Sequence, residues 1–127
     1  MKTLLVAAVV SFFAACCQEC SNEKVVATAP KKVQQAAPGV TRRILAYNDG
    51  LMCVENTFLT GAVGSIHSHP HTQLTYVVSG KFRFQVGDEV YEVSAGDTLL
   101  KQDGILHGCV ALEGGVLLDI FTPMRED

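Results

Sequence analysis

From residue 43 onward the chain alternates between short apolar–polar runs and glycine-centred breaks. The clearest run is 81–86, where Phe82, Phe84 and Val86 alternate with Lys81, Arg83 and Gln85. That is the period of two expected of a strand with one buried face. Gly87-Asp88 follows as a two-residue hairpin signal, and residues 89–93 form the returning strand. The same reading predicts strands at 43–47, 51–59, 74–78, 98–101, 105–111 and 116–121. Asn48-Asp49-Gly50, Gly61, Ser79-Gly80, Ala95-Gly96-Asp97 and Glu113-Gly114-Gly115 separate them. No helical period is long enough to compete. Many short strands with turns between them predict an antiparallel all-β domain whose two sheets close into a barrel and so hide their edges.

The front of the chain breaks this pattern. Lys2 precedes an apolar run of twelve residues, Leu4 to Ala15, which is too short to span a bilayer and reads as a secretion signal. The run ends Phe13-Ala14-Ala15-Cys16, which resembles a lipobox and makes Cys16 the candidate lipidated residue. The alternative is an ordinary signal peptide cut near Ala15. Residues 16–40 carry Pro30, Pro38, small residues and mixed charge without a hydrophobic period, the composition of a flexible tether. The expected organisation is a signal at 1–15, a tether at 16–40 and one domain at 41–127. A lipid anchor would place that domain at the cell envelope, as a periplasmic or outer-membrane lipoprotein.

A formal net charge of −3 with no basic cluster gives no reason to expect nucleic acid as a partner. Of the five cysteines, Cys16, Cys17 and Cys20 fall in the front segment, leaving Cys53 and Cys109 in the domain. These two either form one disulfide or stay as thiols packed like small hydrophobes. The position of Cys109, two residues after a histidine with a candidate role, favours thiols.

Three of the four histidines fall within Gly61 to Gly80, at His67, His69 and His71, and Gln73 follows closely. In an extended segment His67 and His69 point to one side, where two imidazoles can share an ion. A turn at Pro70 can bring the Gln73 carbonyl to the same centre, and His107 lies in a second glycine-punctuated stretch. Together they make a three-nitrogen, one-oxygen set suited to a divalent transition metal with open positions. His71 either lines the pocket against a substrate or joins the metal.

The last predicted strand adds Asp119 and Phe121 on one face, opposite Leu118 and Ile120. A carboxylate in an apolar strand is costly to bury without partners. Asp119 is therefore either a solvent-facing strand-end residue or a general acid or base facing the cavity. Arg125 follows the Thr122-Pro123 turn. It is either a surface residue of a loose tail or a fork that returns to pair with a substrate carboxylate.

These stretches resemble the two motifs of the cupin family. Gly61, His67, His69, Gln73 and Gly80 fall on the landmarks of the first, with Gln73 where most cupins have glutamate. Gly96, Gly104 and His107 fit the second, with Gln102 for the usual proline and Ala111 for the usual asparagine. The resemblance implies a jelly-roll barrel over about residues 40–127, a divalent nickel, zinc, iron or manganese ion, and a homodimer. Within the family, HSHPHTQLTYVVSGKFRFQVGDE with DIFTPMRED resembles the pectin-degradation cupins of the KdgF type, although Thr72 stands where glutamate is expected. Those cupins open the ring of 4,5-unsaturated uronates from pectin or alginate to give 5-keto-4-deoxyuronate. By that resemblance His67, His69, Gln73 and His107 bind the metal, Asp119 moves the proton, Phe121 packs against the sugar and Arg125 holds its carboxylate. Two other functions stay open: a cupin dioxygenase on a small organic substrate, and a non-catalytic sugar- or metal-binding lipoprotein.

Overall fold

The computed structural model describes residues 32–126. The expected signal at 1–15, the candidate lipidation site Cys16 and most of the tether lie outside the described residues. Ten strands follow in order: β1 (Val33–Ala37), β2 (Val40–Asn48), β3 (Leu51–Phe58), β4 (Val63–His67), β5 (Thr72–Val77), β6 (Lys81–Val86), β7 (Glu89–Ser94), β8 (Thr98–Lys101), β9 (His107–Glu113) and β10 (Gly115–Thr122). They build a six-stranded sheet in the order β1-β2-β3-β10-β5-β8 and a four-stranded sheet in the order β4-β9-β6-β7. Every pairing is antiparallel. The fold is the expected all-β jelly roll.

Two strands differ from the sequence reading. Residues 33–37, placed in the tether, pair with β2 from Val33↔Arg43 to Ala37↔Val40 and form the edge of the larger sheet. Four of the five residues are exposed, so ladder hydrogen bonds rather than apolar burial make this strand, and no hydrophobic period announces it. Residues 63–67 are likewise a mostly exposed edge strand.

The inward faces follow the predicted alternation. Phe82 and Phe84 of β6 are buried while Lys81, Arg83 and Gln85 are exposed. Phe58 meets Phe82 edge to face at 5.4 Å between centroids, in a core completed by Val40, Val77, Val93, Leu99, Ala111 and Leu117. Ring packing of this kind contributes beyond the area it buries. Cys109 lies in this core and Cys53 is half-buried on β3; both are free thiols.

Glycine is required where the sheets turn or nearly touch. Gly80 has φ +84°, and a Cβ there would stand 2.7 Å from the Glu113 carbonyl oxygen, so only glycine fits the turn into β6. Gly108, next to His107, brings β9 so close to β4 that a Cβ would fall 2.7 Å from the Gly64 oxygen. That approach allows His67 and His107 to face each other across the pair.

Candidate metal centre and cavity

The polar residues of the site occupy one band of the barrel interior. Across the larger sheet, Phe121, Gln73 and Lys101 lie in register on β10, β5 and β8, and Val54, Asp119, Thr75 and Leu99 form the next row. The smaller sheet contributes His107 opposite His67, and His69 comes from the loop between β4 and β5. His69, Gln73, Thr75, Lys101, His107 and Asp119 are all buried.

Three of the predicted metal-binding histidines meet. Ligand atoms of His67, His69 and His107 lie within 4.8 Å of one another, and Gln73 Oε1 stands 3.0 Å from His69 Nε2 and 3.1 Å from His107 Nε2. The sequence-predicted set of four is therefore assembled in one place. His71 stands outside this group, its ring 5.2 Å from that of His69 and its Nδ1 buried without a hydrogen-bond partner among the described residues.

The hydrogen bonds test whether this set suits a cation. His67 Nδ1–H donates to the Ser65 carbonyl at 2.8 Å and His107 Nδ1–H to the Ile105 carbonyl at 2.9 Å. In the neutral rings the lone pairs are then on Nε2. Gln73 Nε2 donates to Asp119 Oδ1 at 2.7 Å and to Thr75 Oγ1 at 3.2 Å, which turns the Gln73 carbonyl toward the histidines. An imidazole lone pair and a carbonyl oxygen thus face each other across 3.1 Å. Burial holds the His107 pKa down to about 4, so at neutral pH no proton sits between them. Burial also lowers the His69 pKa, with the Arg125 charge adding to the effect. Lone pairs of His67 and His107 that converge beside the Gln73 oxygen are the donor chemistry of a divalent cation, and imidazoles held at Nδ1 by carbonyls are the usual way to aim them; among the described residues nothing holds His69 Nδ1 in that way.

Asp119 faces inward, not to solvent. Its Oδ2 accepts from Asn56 Nδ2 at 2.7 Å, and its Oδ1 accepts from Gln73 Nε2 and from the Thr75 hydroxyl. Beneath them Lys101, 1% exposed, donates to Thr75 Oγ1 and lies 4.9 Å from the Phe84 ring centroid. Burial lowers the Lys101 pKa, and the Asp119 charge opposes the shift. Asn56, Thr75 and Lys101 are absent from the sequence-derived site, although each occupies an inward position of its strand.

The remaining predicted residues close the site. Phe121 packs edge to face against His69 at 5.6 Å, and the Arg125 guanidinium lies 5.1 Å from the Phe121 ring centroid. Arg125 therefore returns over the site and is not a loose tail. A cavity of about 360 Å³ is lined by His67, Gln73, Asp119, Phe121 and Arg125, with Ala36 and Ala37 of β1 as part of its wall.

A cupin-domain family model matches residues 55–121, the span that holds the histidines, Gln73 and Asp119. The chain belongs to the cupin family. Over 96 residues this cupin is 36% identical to the pectin degradation protein KdgF of Dickeya dadantii (strain 3937), covering 74% of this chain and 87% of that protein. The crystal structure of an RmlC-like cupin from Shewanella frigidimarina NCIMB 400 superposes with a TM-score of 0.78 at 35% identity, over 83% of this chain and 95% of the other. The structure of KdgF from a Halomonas species superposes with a TM-score of 0.76 at 36% identity, over 80% and 94%.

Proposed function

We propose that this cupin linearises 4,5-unsaturated uronate monosaccharides derived from pectin or alginate, giving 5-keto-4-deoxyuronate. The observation that carries the reading is the placement of a buried carboxylate, an aromatic ring and a guanidinium, Asp119, Phe121 and Arg125, around one cavity with the histidine–glutamine set. Similarity to the KdgF proteins supports it. The apolar face of the sugar rests on Phe121 while its carboxylate pairs with Arg125 in fork geometry.

The reaction is an isomerisation and takes up no oxidant or water. The anomeric hydroxyl loses its proton, the bond from C1 to the ring oxygen breaks, and C1 becomes the aldehyde carbon. The electrons of the broken bond leave an enolate over C4, C5 and the former ring oxygen, and protonation at C4 gives the ketone at C5. Asp119 handles this proton as general base and then acid. Among the described residues its Oδ1 accepts two hydrogen bonds and its Oδ2 one, so Oδ2 has the lone pair to spare. A divalent ion held by His67, His69, His107 and Gln73 Oε1 would supply Lewis-acid stabilisation of the developing oxyanion, little offset by a neutral glutamine ligand.

The test is loss of the ultraviolet absorbance of the conjugated double bond when the metal-loaded protein meets lyase-generated unsaturated galacturonate. Loss faster than the uncatalysed rate, abolished by chelator, is expected. An unchanged rate with metal confirmed bound overturns the reading. We also assign the protein to the cell envelope through Cys16, which predicts fatty-acid labelling that Cys16→Ala abolishes. Pairing of two copies predicts a dimer mass in sedimentation at micromolar concentration.

A further inference from the structure

Lys101 is a lysine that the proposed reaction does not use, yet it is 1% exposed and lies directly under the site. Lysine is almost never fully buried, because desolvating an ammonium is costly unless its partners return the loss, and an apolar side chain of similar shape often packs as well. What the lysine does here follows from the direction of its hydrogen bonds. An ammonium only donates, so Thr75 Oγ1 accepts from Lys101. The same oxygen accepts from Gln73 Nε2 at 3.2 Å. Both lone pairs of the hydroxyl are then engaged, and its one proton goes to Asp119 Oδ1, the hydrogen bond observed there.

The consequence reaches the metal side. Thr75 and Asp119 are the two acceptors for the Gln73 amide nitrogen. While both stay acceptors toward it, the Gln73 carbonyl must face His69 and His107. We infer that Lys101 is a positioning residue that acts through Thr75: by filling an acceptor site of the hydroxyl it commits the Thr75 proton to Asp119 Oδ1, and so helps hold the carboxylate that keeps the Gln73 oxygen turned toward the histidines. The role of Asp119 in this inference rests on the proposed uronate chemistry; the orientation of Gln73 does not.

Lys101→Met removes the donor with little change of shape, Thr75→Val cuts the connection but leaves the charge, and Thr75→Ser keeps the hydroxyl. In metal-loaded protein, Lys101→Met and Thr75→Val each lower kcat on unsaturated galacturonate about 10- to 100-fold, with KM moving by less than about threefold. Thr75→Ser stays near wild type. The double variant is no slower than the slower single variant, because the two residues act in series. Independently of turnover, competition with a chelator shows zinc held about tenfold more weakly in Lys101→Met and Thr75→Val. Wild-type kcat and zinc affinity in Lys101→Met overturn the inference, as does a double variant whose loss is the product of the two single losses. If Lys101→Met does not fold, equal behaviour of Thr75→Val and Thr75→Ser overturns it. If the wild type turns over no unsaturated uronate, the proposed function fails, and the zinc competition alone decides on Lys101.

Discussion

Inward-facing strands of the barrel change character within a step of two residues. β5 passes from Val77 to Thr75 and Gln73, β10 from Leu117 to Asp119, β8 from Leu99 to Lys101, and β9 from Ala111 through Cys109 to His107. One end of the interior is packed apolar surface with aromatic edge contacts. The other is a buried polar network in which Asp119 accepts three hydrogen bonds and Thr75 joins it to Lys101. The two ends share strands and register, so the rigidity of the first positions the second. Buried polar groups are tolerable when their partners are in place. The difference teaches that stability and chemistry here are separable along each strand, and substitutions should sort accordingly.

The sharpest way to test that separation is Asp119→Asn, which keeps shape and removes the base. We expect kcat on unsaturated galacturonate to fall about 10³-fold while a chelator titration still finds metal bound; unchanged turnover would sink the proton-handling role. At the opposite end, Phe82→Ala should cost about 3–5 kcal/mol in urea unfolding, with kcat of the folded fraction little altered. A loss under about 1 kcal/mol would mean that the apolar end does not dominate stability. Arg125→Ala should raise KM about 10- to 100-fold with kcat nearly kept, as loss of a charged hydrogen-bonding partner implies. An effect confined to kcat would break the carboxylate assignment.

The smallest expected effect is on pH. His107 has a folded-state pKa near 4, below its ordinary 6.5, so between those values the unfolded chain binds more protons. The metal-free protein therefore loses stability as pH falls from 6.5 toward 4, on the order of 1 kcal/mol once solvent screening is allowed for. Comparing unfolding of wild type and His107→Gln at the two ends of that window measures it, and equal slopes would remove His107 as the cause.

How much of this was legible in the sequence depended on what formed each element. The strand at 81–86 was legible because its apolar face is buried, and the same holds for 116–121. β1 was not, because Val33, Gln34, Gln35 and Ala36 are exposed and only the ladder to β2 makes them a strand. His67, His69, Gln73 and His107 declared themselves by residue type and spacing, and the structure brings them together. Asn56, Thr75 and Lys101 were hidden for a different reason. Each sits at inward parity, Lys101 with Leu99 and Thr75 with Val77, so one polar residue on an apolar face was the available signal. Parity reports the face of a sheet, not which strands neighbour it, and only the order β3-β10-β5-β8 places Asn56, Asp119, Thr75 and Lys101 side by side.

The edge strand β1 has a practical bearing on how the protein is prepared. A shortened version cut where the composition changes, at residue 40, would start with Val40 of β2 and discard Ala36 and Ala37 from the cavity wall. Such a truncated protein would keep its histidines and leave one side of the cavity open to water. Weak activity measured on it would describe the cloning boundary and not the enzyme.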